Sequence, residues 1–272
     1  MNNVRLPALR CIRYEIALNG WRILKDTIND FSLWRIIEYP WCTTALELKR
    51  GDTVIDLGTG TATFPHMLAR EGVNTVVLEI DADRVRWQRA KWQATHRPGD
   101  GIVHAVVADA TALPLRDQCI NRLSAISSME HVPDDRNVGY EIGRVLQPAG
   151  IAVLTLPYTA TERHDFFAGI RRFTKVERNA FVQEGKAGSF FRFYTDEDLA
   201  EKYIKPSGGR VTRWGGFGRS ILNKRYHETR LTRYWRRFIL KDWLLAKTIH
   251  PLEERFDRTP PLYKMFKIVK AQ

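Results

Sequence analysis

The sequence predicts an α/β fold, a parallel sheet built from βαβ units, and three observations carry that reading. Val54-Ile55 closes a short apolar run, Gly58 and Gly60 follow, and Phe64-Pro65-His66-Met67-Leu68-Ala69 then starts a helical pattern. Strand, glycine turn and helix in that order form the first unit of a nucleotide-binding sheet. Further apolar runs at 75–78, 102–108, 121–126 and 151–156 alternate with stretches of helical spacing, the pattern of parallel strands joined by crossover helices. Acidic residues stand at three strand ends: Asp56, Glu79 and Asp109. Ligands of such sheets bind at the carboxyl ends of the strands.

Taken in order, residues 3–48 read as mostly helical, with Ile12, Ile16, Trp21, Leu24 and Ile28 among charged residues. Pro40 is expected to break a helix, with a further helix from Trp41 to Leu48. The segment either caps a ligand pocket or packs against the sheet. Glycines are needed at 58 and 60 because a Cβ would block the tight turn and a ligand's approach. The following helix offers free N–H groups and a positive dipole end. Glu79 lies 19 residues beyond Gly60, where a carboxylate can accept both hydroxyls of a ribose. Asp109 ends strand three, within reach of an adenine edge; a loop-capping aspartate fits the same spacing. Helices are expected over 82–93 and 137–146, with turns at 97–101 and Pro148-Ala149-Gly150.

Charge is uneven. Residues 1–150 carry 18 Lys and Arg against 18 Asp and Glu, and residues 151–272 carry 25 against 13, so the whole +12 excess lies in the second part. A basic half suggests an anionic partner, namely an acidic substrate, a phospholipid surface or RNA, and also simply aids solubility. The three cysteines, Cys11, Cys42 and Cys119, lack C-x-x-C spacing and form an odd set. They read as reduced thiols in a cytoplasmic setting. No apolar run reaches the roughly 18 residues of a membrane span. The scattered histidines form no metal-ligand cluster, and no nucleophile elbow appears.

Residues 52–158 resemble a class I S-adenosylmethionine-dependent methyltransferase of the broad small-molecule type. Val54 to Ala62 resembles the family's first motif, with Ala62 in place of the third glycine. Glu79 resembles the acidic ribose ligand, and Asp109-Ala110 with Leu113-Pro114 the adenine-side motif. Ser127-Ser128-Met129-Glu130-His131-Val132 resembles the loop after strand four. Arg144 to Gly150 resembles the family's Arg-Val-Leu-Lys-Pro-Gly-Gly turn, with Ala149 for one glycine. A dehydrogenase reading is poor, because Asp56 stands where such enzymes place their first glycine.

The resemblance implies a Rossmann-like seven-stranded, mostly parallel sheet with helices on both faces. Its closing antiparallel hairpin would be Arg210–Trp214 and Met265–Lys270. It divides the chain into a cap (1–48), a cofactor-binding core (49–158) and a part carrying lid insertions and the last strands (159–272). Asp56, Gly58, Thr59, Gly60, Glu79, Ile80, Asp109, Ala110 and Ser127 would bind S-adenosylmethionine, released as S-adenosylhomocysteine, with no metal. The aromatic insertion 159–193 would form part of a substrate lid, and Thr195 with Asp198 reads as a capping box starting a helix.

Methyl transfer is an in-line displacement, so alignment and a dry pocket are the protein's main contribution. An oxygen acceptor needs a deprotonating partner near neutral pH. His131, on the loop after strand four, is the best-placed residue; a structural histidine is the alternative. Tyr158 and His164 follow on the same argument, and His66 reads as packing or cofactor edge. The acceptor is expected to be a small molecule or lipid- or glycan-linked, methylated at oxygen. An RNA methyltransferase and a non-catalytic cofactor-binding protein are the alternatives. The basic, aromatic stretch 230–247 resembles a helix lying on anionic lipid at the inner membrane face; a packed helix with a solvated outer side fits equally.

Overall fold

The computed structural model describes residues 3–19, 35–160, 165–167, 190–217 and 263–271. Strands β1 (Thr53–Leu57), β2 (Asn74–Glu79), β3 (Val103–Val107), β4 (Ile120–Ile126) and β5 (Leu146–Pro157) run parallel. A small antiparallel pair, β6 (Asp165–Phe167) and β7 (Phe190–Arg192), stands apart. β8 (Gly209–Phe217) and β9 (Tyr263–Lys270) complete a seven-stranded sheet in the order β3-β2-β1-β4-β5-β9-β8, the last two antiparallel. The expected closing hairpin is therefore present, a few residues longer than its sequence pattern.

Alternate residues of β1 serve opposite faces, as the pleat requires. Val54 joins a cluster with α1 (Ala8–Asn19), α2 (Arg35–Leu46) and α3 (Phe64–Arg70). Ile55 joins the opposite cluster with α5 (Asp135–Val145), Leu199 and Tyr203. α4 (Ala82–Thr95) packs Val85 against Val77, Val103 and Ala105. Helices thus cover both faces, and the carboxyl ends of β1, β2, β4 and β5 meet at one rim.

Two sequence expectations are corrected. Pro40 does not end a helix but lies inside α2. Its ring costs one backbone bond, about 3 kcal/mol in a helix interior. Tyr39, Trp41, Cys42, Ala45 and Leu46 around it are all buried, and each large side chain contributes roughly 1.5–3 kcal/mol on burial. Packing wins over propensity. The expected turn at 148–150 is an excursion within β5, which begins at Leu146. Pairing jumps from Ile120↔Leu146 to Arg122↔Ile151, and Ala149 takes φ of 61° to bridge the gap.

The chain beyond β5 is tied back to the core through Asp135, at the start of α5. Its carboxylate accepts from Arg192, from Lys202 Nζ at 2.8 and 2.9 Å, and from the Tyr194 hydroxyl at 3.0 Å. All four residues are buried. The expected capping box of Thr195 and Asp198 opens α6 (Asp196–Leu199). A π-helical turn (Ala200–Ile204) and α7 (Lys205–Ser207) follow it, and Tyr203 reaches the Tyr194 hydroxyl at 3.1 Å. His164, most of the aromatic insertion and the basic stretch 230–247 lie outside the described residues. Among the described residues no helix is long and apolar enough to cross a membrane.

Removing Asp135 leaves buried cations facing one another, so Asp135→Ala is expected to cost about 3–5 kcal/mol in urea unfolding. Ala149→Gly is expected to raise stability by about 1 kcal/mol in the same assay, because the left-handed backbone strains any residue with a Cβ.

Candidate active site

The rim site is built on the turn after β1. Gly58 and Gly60 take φ of 65° and 60°, a region open to glycine at little cost. A Cβ on Gly58 would lie 2.9 Å from Cβ of Ser128, so the loop after β4 presses against this turn. On Gly60 a Cβ would meet nothing nearer than the Arg84 guanidinium at 3.8 Å, which leaves that side of the turn open for a ligand's approach. Ala62 is outside the left-handed region, so the missing third glycine costs the backbone nothing.

Asp56 is buried under the turn. Its carboxylate accepts from Ser124 Oγ at 2.5 Å and from Thr59 Oγ1. Burial raises its pKa to about 6, although both hydroxyls and Arg35 pull it down. Asp56 and Thr59 hold each other and therefore shape the turn rather than its open face. Glu79 completes the frame from β2. Its Oε2 accepts from the Gly60 N–H at 2.8 Å and its Oε1 from the Asp81 N–H at 3.2 Å. Each oxygen keeps a second lone pair. Ile80 beside it is 67% exposed, an apolar platform next to a carboxylate. Asp109 is exposed at the end of β3, with Oδ1 accepting from the Thr111 N–H and hydroxyl, both at 2.8 Å. Ala110 is half-buried.

A relay absent from the sequence reading holds the turn from behind. Gln88 Nε2 donates to the carbonyls of Gly60 and Ala62, both at 2.9 Å, and Gln88 Oε1 lies 2.7 Å from His66 Nε2. With its amide N–H groups committed, Gln88 must accept, so His66 carries its proton on Nε2. His66 is packing, as expected, and also support for the cofactor loop. Its pKa falls to about 4, mainly through burial.

Around β4 and β5 the predicted residues separate. Ser127 takes φ of 45° and donates from Oγ to Glu38 Oε1 at 2.5 Å. Thr155 donates to the same oxygen at 2.7 Å, and Arg35 pairs with the other at 2.9 Å. Ser127 thus joins α2 to the sheet. His131 is exposed at the end of the 3₁₀ turn Met129–His131. Tyr158 is buried, donates to Asp196 at 3.0 Å, and has its pKa pushed up to about 12 by burial and that bond. A phenol so held is a poor proton acceptor. Sequence reasoning missed Glu130, which is 2% exposed beside Arg35 and Glu38. Its signal, a glutamate inside the loop after β4, was present but overshadowed by the adjacent histidine.

Strand order, glycine turn and acidic strand ends define a nucleotide-binding domain of the methyltransferase topology. Residues 55–154 match the family model described as a methyltransferase domain. The core is a class I S-adenosylmethionine-dependent methyltransferase domain. An uncharacterized methyltransferase of Mycobacterium bovis (strain BCG / Pasteur 1173P2) is 33% identical over 115 residues, 42% of this chain and 43% of that protein. The chain thus covers less than half the length of that relative. A Methanosarcina mazei structure described as a SAM-dependent methyltransferase superposes with a TM-score of 0.55 at 14% identity, over 82% of this chain and 94% of that one. The [4+2]-cyclase SpnF does so with a TM-score of 0.53 at 19% identity, over 86% and 80%.

The residues fit S-adenosylmethionine, the cofactor of this domain class. The turn has an open side at Gly60, Glu79 keeps lone pairs beside it, and Ile80 offers an apolar face. Among the described residues no group of three or more metal-ligating side chains gathers.

The His66 shift has a consequence for acid stability. A folded pKa of about 4 against an ordinary 6.5 gives stability that is complete above pH 6.5 and lost as pH falls toward 4. The loss is expected to reach about 3 kcal/mol. Urea unfolding at pH 7 and pH 5 checks it, with a shallower dependence expected for His66→Phe.

Proposed function

We propose that the protein transfers the methyl group of S-adenosylmethionine to a small-molecule or lipid- or glycan-linked acceptor, at oxygen. The observation that carries this is the Glu79 carboxylate tied to the Gly60 amide at the open turn. That bond holds a hydrogen-bond acceptor beside the open turn, which supports a ribose binding there. Bound there, the cofactor supplies an electrophilic methyl on a sulfonium. The chain's residues do the rest. Gly58 and Gly60 allow close approach, Asp56 and Gln88 hold the turn's shape, and Glu79 and Asp109 offer lone pairs to hydroxyls and an exocyclic amine. Displacement needs alignment above all, and a fixed turn supplies it before the acceptor arrives.

Acceptor choice is left to the segments flanking the core, as in any fold whose sites are built on loops. The positive excess of residues 151–272 favours an acceptor carrying an anionic group. An oxygen acceptor must lose a proton, and the groups offered at the rim stand on the loop Ser127–Val132.

Thermal unfolding with S-adenosylhomocysteine, S-adenosylmethionine and NAD tests the assignment. A sulfur nucleotide at about 100 times its dissociation constant is expected to add roughly 2.7 kcal/mol, and Glu79→Ala to abolish the gain. A shift with NAD alone would refute the reading.

A further inference from the structure

Glu130 is a buried carboxyl beside this rim that the cofactor site does not use. Its side chain is enclosed, and its Oε2 has no hydrogen-bond partner among the described residues. The neighbouring carboxylate is satisfied. Glu38 receives Arg35 on one oxygen and the hydroxyls of Ser127 and Thr155 on the other. Arg35 is therefore committed to Glu38 and to the carbonyl of Ile126 at 3.3 Å. Two buried carboxylates feel one guanidinium, which bonds only Glu38 of the two, and Oε2 of the second is left without a donor. An unsatisfied buried carboxyl oxygen costs about 1–3 kcal/mol or more, so one kept in a native structure calls for a reason, of which a catalytic role is one.

The position says what that ligand is. Met129 precedes Glu130, and its methyl would lie 3.3 Å from a Cβ on Gly58. Ser128 Oγ donates to the Leu57 carbonyl at 2.9 Å. Glu130 thus sits on the short turn that presses on the cofactor loop, between that loop and α2. A donor completing Oε2 would therefore stand beside the cofactor loop.

We propose that Glu130 takes the proton of the methyl acceptor, and that the acceptor's nucleophile carries an O–H or N–H which pairs with Oε2. The inference rests on the methyltransferase reading. In the step, the acceptor's lone pair forms the new bond to the methyl carbon. The carbon–sulfur bond breaks with its electron pair staying on sulfur, and the acceptor proton passes to Glu130. The charged groups facing Glu130 are Arg35, which favours its ionised form, and Glu38, which opposes it; Tyr203 approaches from the helical run after α6. Burial dominates and lifts the carboxyl to about 8, close to the range in which a general base works best near neutrality.

Two measurements on the full chain test this. Calorimetry with S-adenosylhomocysteine comes first: the wild type and Glu130→Gln are expected to bind it equally. No binding by the wild type would sink the methyltransferase reading and this inference with it. The second is carbon-13 NMR of δ-labelled glutamate in protein saturated with S-adenosylhomocysteine. One carboxyl is expected to titrate near pH 8 and to be missing from Glu130→Gln. Methylammonium, phenol and anisole serve as probes. The midpoint is expected to fall by about one unit with the first or the second, telling a nitrogen from an oxygen acceptor, and to stay put with the third, which has no proton to give. If calorimetry shows binding but no glutamate titrates high, or neither donor moves the high midpoint, Glu130 is not the proton acceptor. The same holds if the high signal survives in Glu130→Gln. Should that variant fail to fold, the wild-type titration with the three probes decides alone.

Discussion

The structure turns on keeping the Asp56 carboxyl buried at the end of the central strand. A carboxyl there is unfavourable unless donors meet it, and two hydroxyls do, one from β4 and one from the turn itself. Ser124 locks β1 to its neighbour in the sheet, and Thr59 draws the next residues back over the strand end. The left-handed glycines on either side of Thr59 are what make that fold-back possible. Glu79 then catches the Gly60 amide from β2, and Gln88 catches two carbonyls from α4. The turn is held from three elements before any ligand arrives, so binding need not pay its ordering entropy.

A second set of buried charges serves a different end. Asp135, Arg192, Lys202, Tyr194 and Tyr203 join the loop after β4 to the chain that follows β5. Tyr194 also donates to the Met129 carbonyl at 3.2 Å, so the same network reaches the turn carrying Glu130. Such a cluster adds little net stability compared with apolar packing, but it fixes one arrangement because every alternative strands a charge. The loop after β4 is thereby registered to the core through α5 as well as through the sheet.

The sheet was legible because its signals are local. Glycines after an apolar run, acidic strand ends and alternating periods each follow from backbone geometry over a few residues. Pro40 misled because propensity is local while the burial that overrides it is not: Tyr39 and Trp41 pack on residues far along the chain. Ala149 hid an in-strand excursion behind an ordinary turn signature. The site was half legible. Glu79 and the glycines could be placed by spacing, whereas Gln88, Glu38 and Arg35 matter through contacts between distant segments. Asp56 and Ser127 were legible as positions, but the sequence did not show that their side chains bond inward to Ser124, Thr59 and Glu38.

The carboxyl groups of this rim differ less in burial than in the number of donors they meet. Asp56, Glu38, Glu79 and Glu130 are each no more than 4% exposed. Glu38 has an arginine and two hydroxyls; Asp56 has two hydroxyls and rises only to about 6; Glu130 has its own backbone amide and the field of an Arg35 already bonded to Glu38, and rises to about 8. Both Asp56 and Glu130 are enclosed, so the difference in donors accounts for the difference between these two. The same comparison separates framework from chemistry. A buried oxygen that lacks a donor gains most from an acceptor that brings a proton. Carboxylates tied to the protein's own donors shape the cofactor turn, and Glu130, on the turn that presses against it, keeps the open oxygen.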